Sequence, residues 1–150
     1  KERRDRVDDA IHATRAALRN GVQPGGGVAL VRAQKRARKK FKSRDSYGAG
    51  ALAFLDALES PLRQIAVNCD VSSDLVVQKM KGVAENFGYD GKHNKYGDMF
   101  ELGILDPHAV IVSEVEHSLS VACNLLSIGC IIIEDTFKTN ESEIAYFDNV

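Results

Sequence analysis

The chain has 150 residues, of which 44% are hydrophobic and 27% charged, as expected for a soluble globular domain with its own core. No apolar run approaches the roughly 18 residues of a membrane span, and three cysteines without a C-x-x-C spacing argue against a disulfide framework and fit a reducing compartment. The net charge of −1 conceals an uneven distribution, because residues 32–44 carry eight basic residues and no acidic one.

Apolar residues recur every three or four positions in the first segment, which predicts an amphipathic helix from about residue 3 to 20 that ends at Gly21. Asp9 lies off the apolar stripe and, with Asp8 and His12, reads as an exposed polar stripe rather than a metal site. The sequence predicts further helices over about 28–40, 47–58, 60–68 with Ser60 as cap and Pro61 in its first turn, and 74–83 with Ser72 or Ser73 as cap.

Three consecutive glycines, Gly25, Gly26 and Gly27, separate the first two predicted helices. Each glycine inside a helix costs about 1 kcal/mol relative to alanine, so the run marks a forced break. One interpretation is a plain turn between helices. The other is a turn whose unpaired backbone N–H groups approach an anion or a nucleotide.

In the second half of the chain the helical pattern gives way to turn and strand signals. Residues 86–92 combine aromatic residues with Asp90-Gly91, which is typical of a short strand and a hairpin turn. The remaining predicted elements are a glycine-interrupted loop over 96–105, a long helix to about Ser127 that Asp106 caps and Pro107 opens, a strand over 130–134 and an acidic tail.

Five motifs occur in one order along the chain: VDDAIHATRAAL, the glycine run, PLRQIAVNC, GYDGKHNKYGDM and GILDP. Together they resemble the C-terminal portion of a group I chaperonin large subunit, the GroEL and mitochondrial heat-shock type, over residues 1 to about 135. The resemblance implies a mainly α fold, the helical bundle of the equatorial domain's C-terminal half with a small β-hairpin and a C-terminal strand. The implied domains are an intermediate-domain helix over 1–20, the equatorial part over 21–135 and a flexible acidic tail over 136–150.

The same resemblance implies an ATP site. Gly25 and Gly26 would contact the ribose and the neighbouring phosphate region, and Asp106 would bind the ribose hydroxyls. Adenine would be surrounded by Asp90, Gly91 and Ile104. The family often has Asn-Ala-Ala where this chain has Asp90-Gly91-Lys92, which leaves the adenine contacts to backbone groups.

Asp9 occupies the position of the family's catalytic aspartate, which orients the water that attacks the γ-phosphate. The family's phosphate-binding loop and its Mg²⁺-binding aspartate have no counterpart in this sequence. The implied cofactor is therefore ATP with Mg²⁺ in a longer protein, no metal ligand is predicted within the 150 residues, and the chain by itself is not expected to hydrolyse ATP.

The implied partners are other chaperonin subunits in a homo-oligomeric double ring, together with a co-chaperonin and unfolded proteins that bind through domains outside this chain. The implied location is the bacterial cytoplasm or an organelle matrix. Two alternatives remain open: an inert helical assembly module, and weak nucleic-acid binding through residues 32–44, which otherwise form a solvated helix face.

Overall fold

The computed structural model describes residues 1–41 and 45–132, which form six helices and four short strands. The helices are α1 (Glu2–Asn20), α2 (Val28–Arg38), α3 (Ser46–Ala57), α4 (Ser60–Asn68), α5 (Ser73–Lys81) and α6 (His108–Ser127). The strands are β1 (Val22–Pro24), β2 (Phe87–Asp90), β3 (Lys95–Asp98) and β4 (Leu105–Pro107). The prediction of a mainly α fold with a small hairpin is confirmed.

Residues 1–117 form one compact unit, and the boundary with the second unit falls inside α6. The core of the first unit joins α2, α4, α5 and β2. Its members are each 2% exposed or less: Val31, Leu62, Ala66, Val76, Val77, Met80 and Tyr89. Helix α2 begins directly after the glycine run, and this core packs α2 against α4. The glycines therefore lie next to packed helices.

Gly27 shows why the helix break must be glycine. Its φ of +78° lies in the left-handed region, and a Cβ built there would be 2.8 Å from the backbone nitrogen of Leu62 in α4. Both the backbone conformation and the close approach of α4 therefore exclude a side chain at this position.

The cap predicted for α4 is wrong. Glu59, not Ser60, precedes the helix, and its φ and ψ of −78° and −16° already lie in the right-handed helical region. The chain thus turns from α3 into α4 without leaving helical conformation, and Ser60 is the first helical residue, with Pro61 in the first turn as predicted.

Two antiparallel strand pairs complete the first unit. β2 pairs with β3, which confirms the predicted hairpin, and β1 pairs with β4, with Gln23 opposite Asp106. The loop predicted over 96–105 is wrong at both ends, since Tyr96 lies in β3 and Leu105 in β4. Strands β1 and β4 are three residues long and pair across most of the chain, so neither has a local sequence pattern that predicts it.

The predicted cap of the long helix is also wrong. Asp106 and Pro107 belong to β4, and α6 begins at His108, because pairing with β1 keeps residues 105–107 extended. The strand predicted over 130–134 is absent from its described part, residues 130–132. Residues 133–134 and the tail over 136–150 lie outside the described residues.

Helix α6 alone, among the described residues, has the length and apolar composition of a membrane-spanning helix. It also carries Glu114 and Glu116 in its first half. A single helix of this kind is weak evidence for a membrane span, and the absence of a membrane partner stays a prediction.

Candidate functional site

The glycine run packs against the segment that leads into β4. The Gly25 N–H donates to the Ile104 carbonyl oxygen at 2.9 Å. A Cβ on Gly25 would lie 3.1 Å from that oxygen and 3.2 Å from Cγ of Asp106. The pairing of β1 with β4 therefore brings two of the predicted site segments, the glycine run and the GILDP loop, into direct contact.

A cavity of about 230 Å³ opens beside this contact, and we call it the Asp106 cavity. Its polar lining consists of Gly26, Gly27, Asp106 and Glu114, and its apolar lining consists of Ala29, Leu30, Pro61, Ile65 and Ile111. Gly26 and Gly27 lie in the turn between β1 and α2, and the other lining residues come from α2, α4, β4 and α6. Among the described residues that line it, none is a lysine, arginine or histidine.

Asp106 is the partly buried acid of this cavity. Burial raises the pKa of its carboxyl above the ordinary range, and a hydrogen bond from the Gly26 N–H only partly opposes that shift. The carboxylate thus has acceptor capacity left over that the fold does not use. Such a group suits a ligand that donates hydrogen bonds.

We expect Asp106→Asn to stabilise the chain at neutral pH. The folded pKa of Asp106 lies above its unfolded value, so ionisation opposes folding above the folded pKa, and this cost disappears as the pH falls below the unfolded value of about 3.9. Urea unfolding midpoints should therefore favour the variant at pH 7, and the difference should shrink near pH 3. A variant less stable than wild type at pH 7 would contradict this.

The hairpin turn uses Asp90 for its own structure. The buried Asp90 carboxylate accepts from the backbone N–H groups of Lys92 and His93 at 3.0 and 3.3 Å, and it lies 2.6 Å from His93 Nδ1. The hydrogen bond with the His93 ring holds the pKa of Asp90 below its usual range. Asp90 therefore fixes the turn between β2 and β3 and does not line the cavity.

Gly91 does not line the cavity but lies next to Ile65, which does. A Cβ there would be 2.7 Å from Sγ of Cys69 and 3.4 Å from Cγ2 of Ile65, and Ile65 also lines the Asp106 cavity. The hairpin turn thus adjoins the cavity through one side chain.

Asp9 is separate from this arrangement. It is exposed on α1 and does not line the Asp106 cavity. It lies twelve positions before Gly21 in the chain, which corresponds to roughly 18 Å along the helix axis at 1.5 Å per residue. The structure therefore brings Gly25, Gly26, Ile104 and Asp106 together, with Gly91 close by, and leaves Asp9 outside.

Most of the cavity wall has no signature in the local sequence. Ile65, Ile111 and Glu114 come from two helices that are not adjacent in the chain, and only the tertiary fold joins them. The spacing of three between Ile111 and Glu114 puts both on one face of α6, which is the one local signal that the sequence offered.

Three arginines of the basic stretch, Arg32, Arg36 and Arg38, have partners within the described part of the chain. Arg32 is 8% exposed, so the prediction that it belongs to a solvated helix face is wrong, because its guanidinium donates to four backbone carbonyl oxygens. Arg36 pairs with Glu85 at 2.5 Å and Arg38 with Asp56 at 2.7 Å. These contacts reduce the positive charge available to a nucleic acid.

Within residues 1–41 and 45–132, no group of three or more histidine, cysteine, aspartate or glutamate side chains could hold a metal ion. The TCP-1/cpn60 chaperonin family model matches residues 1–136 of this chain. The matched region contains every residue that lines the Asp106 cavity.

Proposed function

Because this chain belongs to the TCP-1/cpn60 chaperonin family, whose role is in protein folding, we propose that its Asp106 cavity is the nucleoside-binding part of an ATP site. The observation that carries the proposal is that a glycine turn meets a partly buried carboxylate at one small cavity, whose described lining has no lysine, arginine or histidine.

The cavity suits part of a nucleotide. Its volume of about 230 Å³ is below the roughly 300–1,000 Å³ of pockets that enclose a whole drug-sized ligand, so it would hold the sugar and one edge of the base. The Asp106 carboxylate would accept hydrogen bonds from ribose hydroxyls, and the apolar side chains would contact the base. Phosphates would lie towards the N-terminus of α2, where the positive end of the helix dipole favours anions.

We further propose that Asp9 orients the attacking water during hydrolysis. Its position on α1, outside the cavity, fits a group that reaches the phosphates only after a conformational change. Bound ATP would bring Mg²⁺ to neutralise phosphate charge, and the residues described in this chain would hold the nucleoside part. The proposal includes a homo-oligomeric double ring of the group I type, with a co-chaperonin and unfolded proteins as partners, in the bacterial cytoplasm or an organelle matrix.

Asp106→Ala and Asp106→Asn test the site. Loss of a hydrogen bond to a charged acceptor costs about 1.5–3 kcal/mol, so we expect calorimetry to show that both variants bind adenosine and ATP about tenfold or more weakly than wild type. Glu101→Gln removes the charge of an exposed acid outside the cavity and should bind like wild type. Failure of the wild-type chain to bind either ligand would refute the site, and wild-type affinity in both Asp106 variants would remove Asp106 from it.

A further inference from the structure

The first two turns of α6 separate two cavities. Ile111 and Glu114 line the Asp106 cavity. Val112, Val115 and Glu116 face a second cavity of about 490 Å³, which we call the Arg32 cavity, and Ile111 borders both. Two glutamates on one helix, two residues apart, thus face different surroundings.

The two cavities differ in charge. The Arg32 cavity contains two arginines, Arg32 and Arg36, beside its acids Glu85 and Glu116. The Asp106 cavity contains two acids, Asp106 and Glu114, and no described basic side chain. The negative charge of Glu114 is therefore not offset by a described basic side chain at its own cavity, whereas arginines accompany Glu116 at the other.

Glu114 also has unused acceptor capacity. Its side chain is exposed, and within residues 1–41 and 45–132 it makes no hydrogen bond or ion pair. The residues three and four positions away on α6 that share its face include no lysine or arginine: they are Val110, Ile111, His117 and Ser118. Both its position at the cavity and its lack of a partner leave the carboxylate available to a bound ligand.

Two carboxylates around one small cavity favour a ligand that donates two hydrogen bonds and disfavour an anion. A ribose with both hydroxyls is a donor of this kind, whereas a phosphate is repelled. We propose that Glu114 is a specificity-determining residue of the nucleoside site, which accepts a hydrogen bond from one ribose hydroxyl while Asp106 accepts from the other. This inference rests on the proposed function, and it adds that the site selects the vicinal diol.

Adenosine, 2′-deoxyadenosine and 3′-deoxyadenosine test the proposal, with binding to the full chain measured by calorimetry. Wild type should bind adenosine more tightly than both deoxy forms. Glu114→Ala should weaken adenosine about three- to tenfold and abolish the preference over one of the two deoxy forms, because a hydrogen bond at an exposed site contributes about 1 kcal/mol. Glu116→Ala makes the same change on the same helix at the other cavity and should bind all three ligands like wild type.

The outcomes separate the inference from the function on which it rests. If wild type binds adenosine but Glu114→Ala matches Glu116→Ala, or if wild type does not distinguish adenosine from the deoxy forms, the role of Glu114 is overturned and the nucleoside site stands. If wild type binds neither adenosine nor ATP, the proposed function fails and the inference fails with it. Equal urea unfolding midpoints for Glu114→Ala and Glu116→Ala would establish that a loss of stability does not cause their difference in adenosine binding.

Discussion

Replacing Arg32 by alanine is expected to lower the free energy of unfolding by about 3 kcal/mol or more. The Arg32 guanidinium donates to the carbonyl oxygens of Met80, Ala84, Glu85 and Phe87 at 2.6 to 3.4 Å. These hydrogen bonds supply donors for carbonyl oxygens at the C-terminal end of α5 and in the connection to β2. The last carbonyls of a helix have no hydrogen-bond partner within the helix. The Met80 carbonyl is buried and the other three are partly buried. A buried carbonyl left unsatisfied costs about 1–3 kcal/mol and a partly buried one less, and urea unfolding of wild type and variant measures the sum.

Two variants control for the loss of charge and of side-chain volume. Arg36→Ala removes an exposed arginine from the same helix with its ion pair to Glu85, and should destabilise the fold far less than Arg32→Ala, because solvent screens that pair. Arg32→Lys keeps a cation but not the planar, five-donor geometry, and should fall between Arg32→Ala and wild type. Equal, small losses in Arg32→Ala and Arg36→Ala would show that the four carbonyl contacts do not stabilise the fold.

Asp9→Ala is expected to reduce ATP hydrolysis at least about a hundredfold in the assembled chaperonin, with nucleotide binding preserved. A group that positions or deprotonates the attacking water contributes about 10²–10⁴ in rate, and Asp9 lies outside the cavity that would bind the nucleoside. Steady-state turnover and equilibrium ATP binding, measured on the same preparation, give the two quantities.

Asp8→Ala is the matched control for Asp9. Asp8 is the adjacent exposed acid on α1, and within the described part of the chain it forms a 3.9 Å ion pair with Arg4. Its variant should hydrolyse ATP at the wild-type rate. If Asp9→Ala also turns over normally, Asp9 is an ordinary helix acid, and if it loses ATP binding as well, its role is in binding.

The helices were predictable because their information is local. The apolar residues of α1 repeat at the helical period, and Gly21 and Pro61 mark a helix end and a helix start. Errors arose where a distant partner decides the conformation. Asp106 followed by proline is typical of a helix start, but β1 draws it into a strand, and Arg32 has the sequence context of a surface charge until α5 packs against it.

The candidate site was predictable in part, and for a different reason. The family resemblance named Gly25, Gly26, Ile104 and Asp106, and the fold brings these residues together. Its adenine residue Asp90 instead bonds to its own turn, which depends on His93 three positions later. Glu114 lies in no motif of the resemblance, and only the packing of α6 beside α2 and α4 makes it part of the cavity.

The end of α1 has a mechanical consequence. Gly21 has a φ of +79° with nothing within 4 Å of a Cβ, and its carbonyl oxygen accepts from the His108 N–H at 3.0 Å. This hydrogen bond ties the end of α1 to the start of α6, and Asp9 lies roughly 18 Å from Gly21 along the helix axis. A rotation of α1 by roughly 20° about Gly21 would carry Asp9 about 6 Å along its arc without requiring β1 and β4 to separate.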